Sequence, residues 1–180
     1  MLEFLITPAR LCSPDFCPTS QIIQESQLLS TFVFLICILN HRDISCISFL
    51  NQGSTFFMIN VYSNSSQSAL KYLKNTEINI PNAIIITGDF NIRDNIWDPN
   101  YLFYLYNSDL LFDIADSFSL SISNSIENVP TRFSDNNNNA NSVLDLVFLH
   151  LSFPEFNCHV IHPDWRFSLD HALITVDILI

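Results

Sequence analysis

Asp89 and Asn91 flank Phe90 at the end of the apolar run Ala83-Ile84-Ile85-Ile86, just past Thr87-Gly88. A carboxylate can hold a divalent cation or activate water, and a carboxamide can donate to a phosphate oxygen. Asp145 interrupts a second apolar run, Ser142 to Leu149. A lone carboxylate in such a run must find a donor. Asp170 and His171 head a third run that continues through Ala172 to Val176, and Tyr62 ends a fourth. A histidine with a carboxylate partner acts as a general base or, as imidazolium, offsets developing charge, and a phenol donates to phosphate. Brought to one place, these groups are the parts of metal-assisted phosphodiester hydrolysis. Each also has an ordinary reading. Asp89 and Asn91 suit an Asx-type turn, Tyr62 suits a half-buried aromatic, and His41, His150, His159 and His162 show how little one histidine means.

The elements that must position these groups follow from hydrophobic period. Residues 83–86 read as a strand buried on both faces, bounded by Pro81-Asn82 and Gly88. Alternation along an extended chain puts Asp89 and Asn91 on one side and Phe90 on the other. The carboxyl end of a buried strand is where open α/β sheets place ligands. Phe32 to Leu39 reads as a buried strand or short buried helix, and His41-Arg42-Asp43 is a polar break. Ile44 to Leu50 and Thr55 to Tyr62 read as a hairpin about Asn51-Gln52-Gly53-Ser54. Ser66 is placed as an N-cap before a helix over 67–75 whose Ala69, Leu70, Tyr72 and Leu73 share a face. A second helix is expected over 109–118, with short strands over 142–149 and 156–161 and a final strand after His171. Strand, helix, strand is the order a layered α/β fold needs. The loop after Asn91 carries Arg93 and Trp97, and Asn136 to Asn139 is a low-complexity, solvated run.

A length of 180 residues suits one domain, and 48% apolar content supplies a core. With 16 Phe against 2 Gly, neither a phosphate-cradling P-loop nor a dinucleotide fingerprint is present. A net charge of -11 opposes non-specific nucleic-acid binding unless local cations or a bridging metal intervene. The 5 cysteines lack zinc spacing, and Cys37 and Cys46, within apolar runs, read as small core residues of a protein in a reducing compartment. The run 32–39 is shorter than the roughly 20 residues a bilayer span needs, so no membrane partner is expected.

Jointly, NVY at Asn60 to Tyr62, GDFN at Gly88 to Asn91, PTRF at Pro130 to Phe133, SVLDLVF at Ser142 to Phe148 and LDHALI at Leu169 to Ile174 carry a resemblance. The chain resembles the endonuclease/exonuclease/phosphatase superfamily, and within it the endonuclease domain of LINE-type (non-LTR) retrotransposons. The resemblance runs from about residue 41 to Ile180. It implies a four-layer α/β sandwich of the DNase I-like kind, here partial and missing the first strands. It also implies an intracellular monomer that nicks DNA with Mg2+ or Mn2+ and needs no small-molecule cofactor. Carried over by position, Asp89 polarises the attacking water and Asn91 holds the scissile phosphate. His171 offsets charge on it, Asp145 orients His171, and Tyr62 donates to the phosphate. Asp170 with Asp89 lies at the metal, and Thr131, Ser142 and Arg93 face the DNA, with Trp97 a further contact. Family members also carry an earlier strand ending in Asn and a Gln-Glu pair whose glutamate ligates the metal. No strand ending in Asn is legible before Ser30, and Gln24-Glu25 lacks a preceding strand. Residues 1–30 are therefore expected to be a divergent lead-in to a domain over 31–180. Besides an endonuclease impaired for want of that glutamate, the sequence allows a catalytically silent retroelement remnant with at most a binding role, or a phosphatase- or sphingomyelinase-like member of the fold.

Overall fold

The computed structural model describes residues 2–6, 34–37, 39–51, 54–76, 83–98, 101, 108–123, 129–133, 141–151, 156–161 and 171–178. Its strands are β1 (Leu2–Ile6), β2 (Phe34–Cys37), β3 (Ile44–Asn51), β4 (Ser54–Tyr62), β5 (Ala83–Asp89), β6 (Leu120–Ile122), β7 (Asp145–His150), β8 (Phe156–Ile161) and β9 (Leu173–Ile178). Helix α1 (Ser68–Asn75) lies between β4 and β5, and α2 (Asp109–Ser117) precedes β6. The strands form a six-stranded sheet in the order β2-β3-β4-β5-β7-β6 and a three-stranded sheet in the order β1-β9-β8.

The hairpin expected around Gly53 closes between β3 and β4, with Asn51 opposite Ser54. Strands β4 and β5 are parallel, so the chain must cross over between them, and α1 lies on that crossover. On the other side β7 runs antiparallel to β5. The central apolar run is thus paired along both edges, and Ile85 and Ile86, on opposite faces, are both buried, which is why it reads as an unbroken apolar stretch.

One face of the large sheet packs on the helices. Val61, Ile59, Ile86, Phe90, Leu146 and Phe148 meet Ala69, Leu70 and Leu73 of α1 and Leu111, Ile114 and Ala115 of α2 in one core. Burying a side chain such as Leu or Ile contributes about 1.5–3 kcal/mol. Packing of this kind holds α1 in place, because its end is not capped by a side chain. The N-cap residue is Gln67, left-handed at φ 54° and without a side-chain cap bond. Ser66, expected to cap, instead donates its hydroxyl to Asn64 Oδ1 at 2.6 Å and belongs to the turn before the helix. Alternation along the strands sends Met58, Ile85 and Val147 to the opposite face, where all three are buried. Buried Ala172, Ile174 and Val176 of the β9 segment offer apolar surface of the same kind. The helices, the large sheet and the small sheet are three of the four layers expected of a DNase I-like sandwich.

Strand β1 was not legible in the sequence. It lies within the first thirty residues, read above as a lead-in, yet it pairs antiparallel with β9 from Leu2 opposite Ile178 to Ile6 opposite Ile174. Glu25 lies outside the described residues. Among the described residues no helix is long and apolar enough to cross a membrane.

Candidate active site

Three neighbouring strands end at one level. Tyr62 of β4 is the register partner of Asp89 of β5, and Asp89 is the partner of Asp145 at the start of β7. All three point away from the helices by strand alternation, since Val61, Phe90 and Leu146 face them. The row therefore opens on the side of the small sheet, and His171, just ahead of β9, enters from there.

His171 Nδ1 lies 2.8 Å from Asp145 Oδ2, with both side chains buried. The donor that Asp145 needed is therefore an imidazole from the other sheet. Asp89 completes the cluster: its carboxylate, that of Asp145 and a ring nitrogen of His171 all lie within 4.8 Å of one another. Among the described residues this is the group of histidine and acidic side chains close enough to share a metal ion.

The GDFN stretch shapes the mouth of the cluster. Gly88 has φ +144°, and a Cβ there would sit 1.8 Å from the carbonyl oxygen of Val61. Phe90 does face away, packing edge-on against Phe148 at 5.7 Å between ring centroids. Asn91 departs from the extended expectation: it is left-handed at φ 50°. Its backbone N–H donates to Asp89 Oδ1 at 3.1 Å, and its side-chain amide donates to the Ser63 carbonyl at 2.8 Å. The Asx turn and the functional cluster are therefore the same structure. Ser63 escaped the sequence reading, although it directly follows NVY; its own N–H donates to the Asp89 carbonyl at 2.8 Å.

The other expected site residues fall elsewhere. Thr131 is fully buried, so it lies beneath the cluster instead of along a groove. Its hydroxyl accepts from the backbone N–H of Leu144 at 3.0 Å and of Asp145 at 2.9 Å. Ser142, also buried, pairs through its backbone with Arg132. Arg93 is turned to Asp98, donating Nε to Oδ2 at 2.8 Å, with its guanidinium 4.8 Å from the Tyr101 ring centroid. Trp97, expected to touch substrate, is a core residue instead: it is buried, tilted against Phe112, and donates its indole N–H to the Ile92 carbonyl. The polar letters around Trp97 hid this, because Asp94 spends its Oδ1 on the Ile96 N–H and closes a tight turn. Asp170 lies outside the described residues.

Residues 56–175 match the family model described as endonuclease-reverse transcriptase. Among solved structures the chain is similar to the endonuclease domain of TRAS1, a telomere-specific non-LTR retrotransposon. The TM-score is 0.67 at 18% identity, over 83% of this chain and 69% of that one. A looser likeness, TM-score 0.48 at 12% identity, is to D. rerio TDP2 complexed with a single-strand DNA product, over 81% of this chain and 68% of that one. No curated protein matches. The TRAS1 likeness bears out the DNase I-like fold.

Proposed function

The chain belongs to the endonuclease-reverse transcriptase family, and from that premise we propose that it hydrolyses a phosphodiester bond of DNA with the help of a divalent cation. The reading is carried by one observation: two carboxylates and an imidazole from three separate segments converge within 4.8 Å at the open end of a sheet.

The donor set fits a hard cation. Mg2+ is typically held by one or two carboxylates, with water and substrate phosphate completing its shell. Asp89, with Asp170 next to His171 in sequence, would hold Mg2+ or Mn2+. Bound there, the cation supplies Lewis-acid neutralisation of the phosphoryl oxygens.

The chain's own groups do the rest. Asp145 engages His171 Nδ1, which fixes the ring's orientation, and the imidazole would offset charge on the phosphate. Asn91 has one amide proton committed to Ser63 and presents the other to the scissile phosphate. Tyr62 donates from its place in the row beside Asp89. Asp89 Oδ1 is held by the Asn91 N–H, which fixes the carboxylate that would meet cation and water. The chain acts on DNA as a monomer, with Arg93 the nearest basic side chain after Asn91 in sequence.

The test is purified protein with supercoiled plasmid and magnesium. Nicked circles should form, and Asp89→Ala should abolish them. A second reading, a catalytically silent remnant with at most a binding role, is favoured by the net charge of -11, which repels DNA. It predicts no nicking at any metal concentration and no magnesium site by isothermal titration.

A further inference from the structure

Asp145 and His171 come from different sheets, so neither strand pairing fixes their separation. Asp145 opens β7 of the six-stranded sheet, and His171 precedes β9 of the three-stranded sheet. What joins them is the segment around Thr131. Arg132 forms an isolated antiparallel bridge to Ser142 on one side and to His171 on the other. Thr131 N–H donates to the Ser142 carbonyl at 3.0 Å, and Ala172 N–H donates to the Thr131 carbonyl at 2.6 Å. The Thr131 side chain then reaches the acid itself, since its hydroxyl oxygen accepts from both the Leu144 and Asp145 amides.

We infer that Thr131 is the positioning residue of the Asp145–His171 pair, setting the carboxylate through its amide and the imidazole through the neighbouring Ala172 amide. This reassigns a residue whose type and motif suggested direct contact with DNA. The chemistry requires an acceptor with two lone pairs at that point. A hydroxyl oxygen supplies them, and the two amides are at the buried start of a strand, where no water replaces a lost partner. Valine keeps the shape of threonine and removes the acceptor; serine keeps the acceptor and removes a methyl. The inference rests on the proposed function only for its consequence in catalysis, because the geometry concerns the pair itself.

The test is proton NMR of the full chain, read at the His171 Nδ1–H resonance. A ring proton shared with a buried carboxylate appears well downfield of the amide envelope, and its loss in Asp145→Asn assigns it. Thr131→Val should shift this resonance upfield or exchange-broaden it beyond detection below the unfolding temperature. Thr131→Ser should restore it. Under the plasmid assay, Thr131→Val should lose about 10–100-fold in nicking rate, the usual effect of removing an outer positioning group. A Thr131→Val spectrum identical to wild type overturns the inference, whether or not the protein nicks DNA. A shifted resonance in a protein that never nicks leaves the inference standing and rejects the catalytic reading. Should Thr131→Val not fold, amide exchange in the wild-type chain decides: Leu144 and Asp145 amides must be among the slow ones, and rapid exchange there overturns the inference.

Discussion

Replacing Gly88 by alanine tests whether the end of β5 is built as described. The residue has φ +144°, a conformation that side-chain-bearing residues rarely adopt, and its new Cβ would lie 1.8 Å from the Val61 carbonyl oxygen and 2.7 Å from the carbonyl carbon. The obstacle is backbone of the neighbouring strand, so no side-chain rotation relieves it. Holding a non-glycine residue in such a conformation costs about 1–3 kcal/mol, and forcing an extra carbon into packed structure costs about 1–3 kcal/mol more. The sum, on the order of 2–6 kcal/mol, consumes a large share of a typical domain stability of about 5–15 kcal/mol. In urea, with a slope near 2 kcal/mol/M, the midpoint should fall by about 1–3 M at unchanged slope. The loss is also local. Val61 precedes Tyr62 and Gly88 precedes Asp89, so prising β4 from β5 breaks the row at the site. The folded fraction of Gly88→Ala should therefore nick plasmid more slowly per molecule than wild type. A midpoint within roughly 0.3 M of wild type, with normal nicking per folded molecule, would refute the close approach of these two strands.

Two further outcomes follow from the cluster. Asp145→Asn keeps the shape but withdraws the charge that orients His171; it should slow nicking by about 10–100-fold, measured on supercoiled plasmid at saturating magnesium, and an unchanged rate would remove the pair from the reaction. Chelation by EDTA should abolish nicking and readdition of magnesium restore it; magnesium at about 100 times its dissociation constant should raise the unfolding free energy by about 2.7 kcal/mol, and no magnesium-dependent rise in Tm in wild type, or an equal rise in Asp89→Ala, would place the cation elsewhere.

The strands that carry Tyr62, Asp89 and Asp145 are legible because each is an apolar run of strand length bounded by turn residues, which decides between strand and helix where period alone does not. Asp145 announced its need for a donor by its surroundings alone, and His171 supplies it. Other features left no local trace. Strand β1 contains Glu3 and is followed by Pro8, and its partner β9 lies at the far end of the chain; pairing over such separation has no signature in a short window. The inward turn of Thr131 could not be read from PTRF, because which side of an irregular segment faces the core is decided by the two strands it touches. Trp97 departs from its expected place for the opposite reason. Its neighbours Asp94 and Asp98 look solvated by type, yet both are buried, one closing a turn and one paired with Arg93. Composition predicts exposure only where polar side chains have no internal partner.

In the sequence an Asx turn at Asp89 and a functional carboxylate are alternative readings, but in the structure the two coincide. Asp89 and Asp145 are buried carboxylates within 4.8 Å, an arrangement that repels itself and forfeits hydration. Donors must offset this, and the fold provides them. Asp145 has the His171 imidazole against its carboxylate, while its backbone N–H donates to the Thr131 hydroxyl oxygen. Asp89 receives the Asn91 N–H on one oxygen. A backbone N–H satisfies one lone pair of a carboxylate without neutralising its charge, whereas a divalent cation does both. The turn thus fixes the direction of Asp89, and a bound cation would add the charge neutralisation that an N–H does not supply.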